Sequence, residues 1–175
     1  MDYQGLKGIA STGDVLLVRK STWVRLLTAE SFSHVAILVW EDNHGGLWVY
    51  EFVEGTGYRS TPASAWIDQY AGCDLWLGMA PEIVRMNGET VRTAAHSYRD
   101  KRKIFQRYGW LSLIKVWLSQ WLKIRIRVFQ RVCSTFVQEL WEAAGYTGFS
   151  QTEDPGNIAN ACCDLIKINA DMGEK

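Results

Sequence analysis

The sequence predicts an α+β fold, an antiparallel sheet packed against helices, in one domain spanning residues 1–175. Three observations carry that reading. Short apolar runs bounded by turn formers crowd the first half of the chain, as strands do. Helical periodicity takes over in the second half. No linker, repeat or low-complexity tract divides the chain, and 175 residues can bury a core of their own. Apolar residues make up 47% and charged residues 22%, the balance of a folded chain and not of a disordered one.

After Gly13, "DVLLV" (14–18) reads as a short strand and "TWVRLLTAE" (22–30) as a short helix or covering loop. The strand 33–40 runs into "EDNHGG", a cluster of turn formers, and "LWVYEFV" (47–53) leaves it, which makes a β-hairpin. "GYRSTP" continues as strand into turn. Thr61 then serves as N-cap and Pro62 as first residue of a short helix. "CDLWLGM" (73–79) is a further strand ended by Pro81, and Asn87 caps a helix that turns basic towards its C-terminal end. In 110–122, Trp110, Leu113, Ile114, Trp117 and Trp121 fall at helical spacing, an amphipathic helix, and "KIRIRVFQR" after it is a strand or a loop. The last long helix, 132–145, sets Cys133, Phe136, Val137, Leu140 and Ala144 on one face and stops at Gly145.

The formal net charge of zero hides an asymmetry. Residues 99–131 hold ten Lys/Arg and a single acid, Asp100, so a basic segment rides on an acidic body. That invites an anionic partner: a membrane surface engaged by 99–131 is the expectation, and nucleic acid is the less favoured one. The N-terminus shows no basic stretch followed by an apolar one, and no uncharged run approaches the roughly 18 residues of a membrane span. Four cysteines, two of them the adjacent Cys162 and Cys163, make a poor disulfide framework, and no CxxC spacing suggests zinc. A cytoplasmic protein with reduced thiols, needing no metal and no cofactor, is expected.

The stretch "SFSHVAILVW" (31–40) raises the question of chemistry. It has two apolar faces, yet His34 stands at its head. A histidine satisfied within the core is one reading, and a base held in fixed geometry is the other. Cys133 stands in the first turn of the last helix, where unpaired N–H groups and nearby cations favour a thiolate. A cysteine on an apolar helix face is nonetheless more often packing than chemistry. Glu51 interrupts an apolar strand on the hairpin partner of His34, and a carboxylate there needs either a donor or an exit to solvent at a sheet edge. Of the other histidines, His44 falls in the hairpin turn. His96 sits mid-helix as a surface or partner-pairing residue.

Gly13-Asp14, Ser33-His34-Val35, Glu51, Thr61-Pro62 with Trp66, and Cys133-Ser134 follow one another in an order that resembles the circularly permuted papain-like amidases of the NlpC superfamily. "DPGNIAN" is similar to that family's closing Pro-containing turn. The resemblance spans most of the chain and implies a permuted papain-like fold with a Cys133–His34–Glu51 triad. Departures are Cys133-Ser134-Thr135-Phe136 where the family commonly has Cys-Ser-Glu-Leu, and Gly109 after Tyr108 where Tyr-Asp is frequent. Tyr108 and Ser134 are expected near the oxyanion or substrate. The implied activity is an amide hydrolase, an amidase or peptidase acting through a thioester, with cell-wall peptide among its substrate classes. The alternatives are a lipid acyl hydrolase or acyltransferase with the same triad, and a non-catalytic module of the same fold. Direct opposition of His34 and Glu51 would require the hairpin to turn early, between Asp42 and Asn43, or to carry a bulge near His44-Gly45-Gly46. Glu54 is the reserve acid if the register slips.

Overall fold

A computed structural model describes residues 3–19, 32–42, 45–53, 56–98, 131–149 and 154–168. The strands are β1 (Val15–Arg19), β2 (His34–Glu41), β3 (Gly46–Val53), β4 (Gly57–Pro62), β5 (Asp74–Met79) and β6 (Asp164–Ile168). They form one six-stranded sheet in the order β4-β3-β2-β1-β5-β6. Every neighbouring pair in it is antiparallel. Helices α1 (Tyr3–Ile9), α2 (Ala63–Gln69), α3 (Glu82–Met86), α4 (described over 88–98), α5 (Arg131–Ala143) and α6 (Pro155–Ala161) cover it. The architecture is therefore α+β, as the sequence predicts. The expected segment 22–30, the tryptophan-rich helix 110–122 and residues 123–130 of the basic run after it lie outside the described residues.

Both faces of the sheet are covered, and this explains why its central strands read as apolar on both sides. Val15, Leu17, Val35, Ile37, Val39, Tyr50 and Phe52 face α4, α5 and α6, whose Val91, Ala95, Phe136, Val137, Leu140, Trp141 and Ile158 complete one core. Leu16, Val18, Ala36, Leu38, Leu47 and Val49 face the other way, onto Leu6 of α1 and Ala63, Trp66 and Ile67 of α2. The apolar face predicted for α5 is the one it buries, and its end is fixed as expected: Gly145 takes φ +96°. There Tyr146 N–H donates to Trp141 O and Gly145 N–H to Glu142 O, the paired bonds of a glycine-stopped helix.

The two cores are tied together at the start of β1. Asp14 is fully buried and accepts from the backbone N–H of Ser11 (2.8 Å) and of Ala80 (2.9 Å), with Arg85 Nε at 3.3 Å. Trp141 Nε1 donates to Gly13 O at 2.9 Å. Gly13 has φ +103°, and a Cβ there would stand 2.7 Å from Val84 Cγ1, so glycine is required twice over.

Three local expectations are corrected. Thr61 does not cap α2: Thr61 and Pro62 are still paired to β3, so Pro62 itself is the N-cap and makes no side-chain cap bond. Asn87 stands at the head of α4, its carbonyl accepting from Thr90 and Val91 N–H, but its side chain does not cap the helix. The side-chain amide donates to Ile83 O and Ala144 O, stitching α3 to the end of α5. "DPGNIAN" is a helix and not a turn. Asp154 caps it by accepting from Asn157 N–H at 2.8 Å, and β6 follows as the outer strand.

Candidate active site

His34, Glu51 and Cys133 come from three separate elements and meet at the head of β2. Ser33 clips that head onto β1, its N–H and Oγ both donating to Val18 O at 2.9 and 3.1 Å. Val18 pairs with His34 itself, so the imidazole stands on an anchored backbone. Tyr70, just past the end of α2, stacks on it with ring centroids 6.1 Å apart and planes 16° from parallel.

Glu51 lies in the interior of β3 with no solvent exposure, flanked on both sides by other strands. The exit at a sheet edge is thereby ruled out. Its Oε2 sits 2.6 Å from His34 Nε2, and its Oε1 accepts from Arg59 Nε at 2.5 Å. The contact is made in an unexpected register. Ile37 faces Tyr50 and Glu41 faces Gly46, and continuing that register puts Glu51 opposite Ala36. Direct opposition to His34 is therefore overturned. The pair is diagonal, two positions apart on one face, a separation that two long side chains span in a twisted sheet. The β2–β3 pairing begins only at Ile37, which leaves the head of β2 room to meet a third element.

That element is α5. Cys133 is its third residue, 4% exposed, and it packs with Val35 and Phe136 on the α5 side of the sheet. Its side chain hydrogen-bonds the His34 imidazole. With Nε2 taken by Glu51, Nδ1 is the nitrogen left for the sulfur. Ser134, next in the helix, is fully buried. Tyr108 and Glu54 lie outside the described residues.

The electrostatics follow from this packing. Burial alone would push the His34 imidazole down. The hydrogen bonds and negative charge of Cys133 and Glu51 more than reverse that, and its pKa is pushed up to about 9. Burial likewise opposes charge on Glu51, yet the His34 bond, the nearby Trp66 indole and Arg59 hold its carboxyl below the usual carboxylate range. Among the described residues the buried Trp66 N–H meets no acceptor within hydrogen-bond geometry, yet it lies near enough to Glu51 to favour the charged carboxylate. Tyr70 is pushed up to about 12, first by burial and then by the Glu51 charge, and stays a neutral phenol beside the imidazole.

The other titratable residues sort differently. His96 is the partner-pairing residue expected of it, with Nε2 2.6 Å from Glu41 and 3.1 Å from Tyr50 Oη, so it ties α4 to the sheet. His44 lies outside the described residues. Cys73, Cys162 and Cys163 are all free thiols; Cys162 is pushed up to about 12, chiefly by burial. Among the described residues no group of three or more His, Cys, Asp or Glu side chains is arranged to hold a metal, and no helix is long and apolar enough to cross a membrane.

Sequence reasoning missed Arg59, Gln69 and Tyr70. A signal for Arg59 was present: the sequence has turn formers at 55–57 between two strand-like runs, and a tight hairpin there sets Glu51 directly opposite Arg59, as the β3–β4 register has it. No protein-family model matches the chain, and no curated protein matches it.

Proposed function

We propose that the chain is a cysteine-dependent amide hydrolase, an amidase or peptidase of the circularly permuted papain-like type. One observation supports this above the rest: a buried carboxylate, an imidazole and a thiol at a helix start are hydrogen-bonded in series. A packing cysteine or a satisfied core histidine needs no such series, and a buried Glu51 is costly to keep without a use for its charge.

In this reading Cys133 carries the nucleophilic sulfur and His34 holds the proton taken from it. The thiolate adds to the substrate carbonyl carbon, and the oxyanion formed accepts from the backbone N–H of Cys133 at the start of α5. The C–N bond then breaks while His34 gives its proton to the leaving amine, and a thioester remains on Cys133. Water, giving a proton to His34, attacks that thioester; the acid leaves and the thiol is regenerated. Glu51 holds the imidazole in one orientation throughout. No step calls on a metal or an organic cofactor.

The test is intact-mass analysis after limiting iodoacetamide at neutral pH, in wild type and Cys133→Ala, with release from a p-nitrophenyl ester as a second readout. A single fast adduct lost in the variant, with a burst of nitrophenol of one equivalent, is the expected outcome. Equal labelling of all four cysteines would sink the proposal. Fast labelling without a burst would leave a binding module of the same fold as the better account.

A further inference from the structure

We infer that Arg59 is a positioning residue of this site, gripping one oxygen of Glu51 so that the other stays turned onto His34. The inference rests on the triad reading above and extends it by one residue. Glu51 is fully buried and has two oxygens to satisfy. His34 takes Oε2, and Arg59 Nε takes Oε1 at 2.5 Å. Without the second bond the carboxylate would keep an unpartnered oxygen in the core and turn to share its one donor.

The guanidinium is itself held. Arg59 lies directly opposite Glu51 in a β3–β4 ladder that runs unbroken from Trp48↔Pro62 to Val53↔Gly57. Its Nη2 donates to Gln69 Oε1 at 3.1 Å, at the end of α2. One planar cation thus bridges β3, β4 and α2, a task that needs two donors at a fixed angle and that a lysine ammonium cannot copy. Arg59 is 28% exposed, but its acceptor is not exposed at all, so the pair is not a screened surface ion pair. Gln69, Arg59, Glu51, His34 and Cys133 form one continuous chain of contacts.

The experiment measures the Cys133 alkylation rate from pH 4 to 9 in wild type, Arg59→Gln, Arg59→Lys and Gln69→Ala, with thermal melts alongside. Losing the guanidinium makes Glu51 easier to protonate, so the acid limb of the profile should move to higher pH in Arg59→Gln. A rate loss of about tenfold near pH 6 is expected from the slackened carboxylate. Arg59→Lys should recover the charge effect and only part of the rate, and Gln69→Ala should shift the limb in the same direction by less. A lowered melting temperature with an unchanged pH profile would make Arg59 a structural residue and overturn the inference. Where Arg59→Gln fails to fold, an unshifted profile in Gln69→Ala overturns it equally. The His34 imidazole resonances report the same acid-side step whether or not the thiol is reactive. A slow Cys133 in wild type therefore refutes the hydrolase reading, and an unmoved His34 step in the variants refutes Arg59.

Discussion

The His34 imidazole is where the site can be tested most directly, because its proton is linked to folding. In the unfolded chain it titrates near the ordinary 6.5; in the folded protein, hydrogen-bonded to Cys133 and Glu51, near about 9. The folded state therefore holds the proton more tightly. Its contribution to stability is fully present below pH 6.5 and is lost as pH rises through about 9. At 1.36 kcal/mol per pH unit the shift corresponds to about 3 kcal/mol. With the side chain only 15% exposed, solvent screening does not erase it. Urea unfolding of wild type and His34→Gln at pH 6 and pH 10 isolates the effect, since lysines and tyrosines titrate alike in both proteins. The stability gap between the two should shrink by about 3 kcal/mol from the lower to the higher pH. Imidazole NMR supplies the direct reading, and Glu51→Gln or Cys133→Ala should each move the titration down, because burial is then opposed from one side only. A gap that stays constant with pH, or a His34 that titrates at or below 6.5 in wild type, would refute the reasoning.

Two predictions concern the scaffold. Gly78→Ala should lower stability by about 1–3 kcal/mol in urea unfolding, the range for overpacking. Its Cβ would stand 2.6 Å from Cys162 Sγ and 2.8 Å from Val15 Cγ2, so unchanged stability would show that β5 and α6 have slack there. Asp14→Ala should cost about 2–3 kcal/mol, because it strips the Ala80 and Ser11 N–H groups of their acceptor. A loss under 1 kcal/mol would mean that water replaces the carboxylate.

Much of the molecule was legible because it is local. Apolar runs between turn formers marked β1 to β5, and the periodicity of Cys133, Phe136, Val137, Leu140 and Ala144 marked the face α5 buries. Gly145 ended that helix with the positive φ a glycine tolerates. His34 and Glu51 stood out for a general reason: a polar side chain inside an apolar strand must be compensated, and that demand is visible wherever the strand is. The exceptions were local as well. Pro62 is drawn into the β3 ladder and becomes the cap instead of Thr61, while "DPGNIAN" carries its own helix signal in Asp154 and Pro155.

By itself, then, the sequence determined the α+β pattern and the polar residues in need of partners, because propensity, periodicity and burial cost act on neighbours along the chain. The tertiary structure alone decided who the partners are. It placed β6 on the outer edge of the sheet and chose the diagonal register that brings Glu51 to His34. It also laid Tyr70 over the imidazole and set Arg59 between Glu51 and Gln69. Those pairings depend on the twist of one strand against the next and on which helix end reaches the head of β2. Such distances are set by the packing of the whole sheet, and no short window of residues contains them.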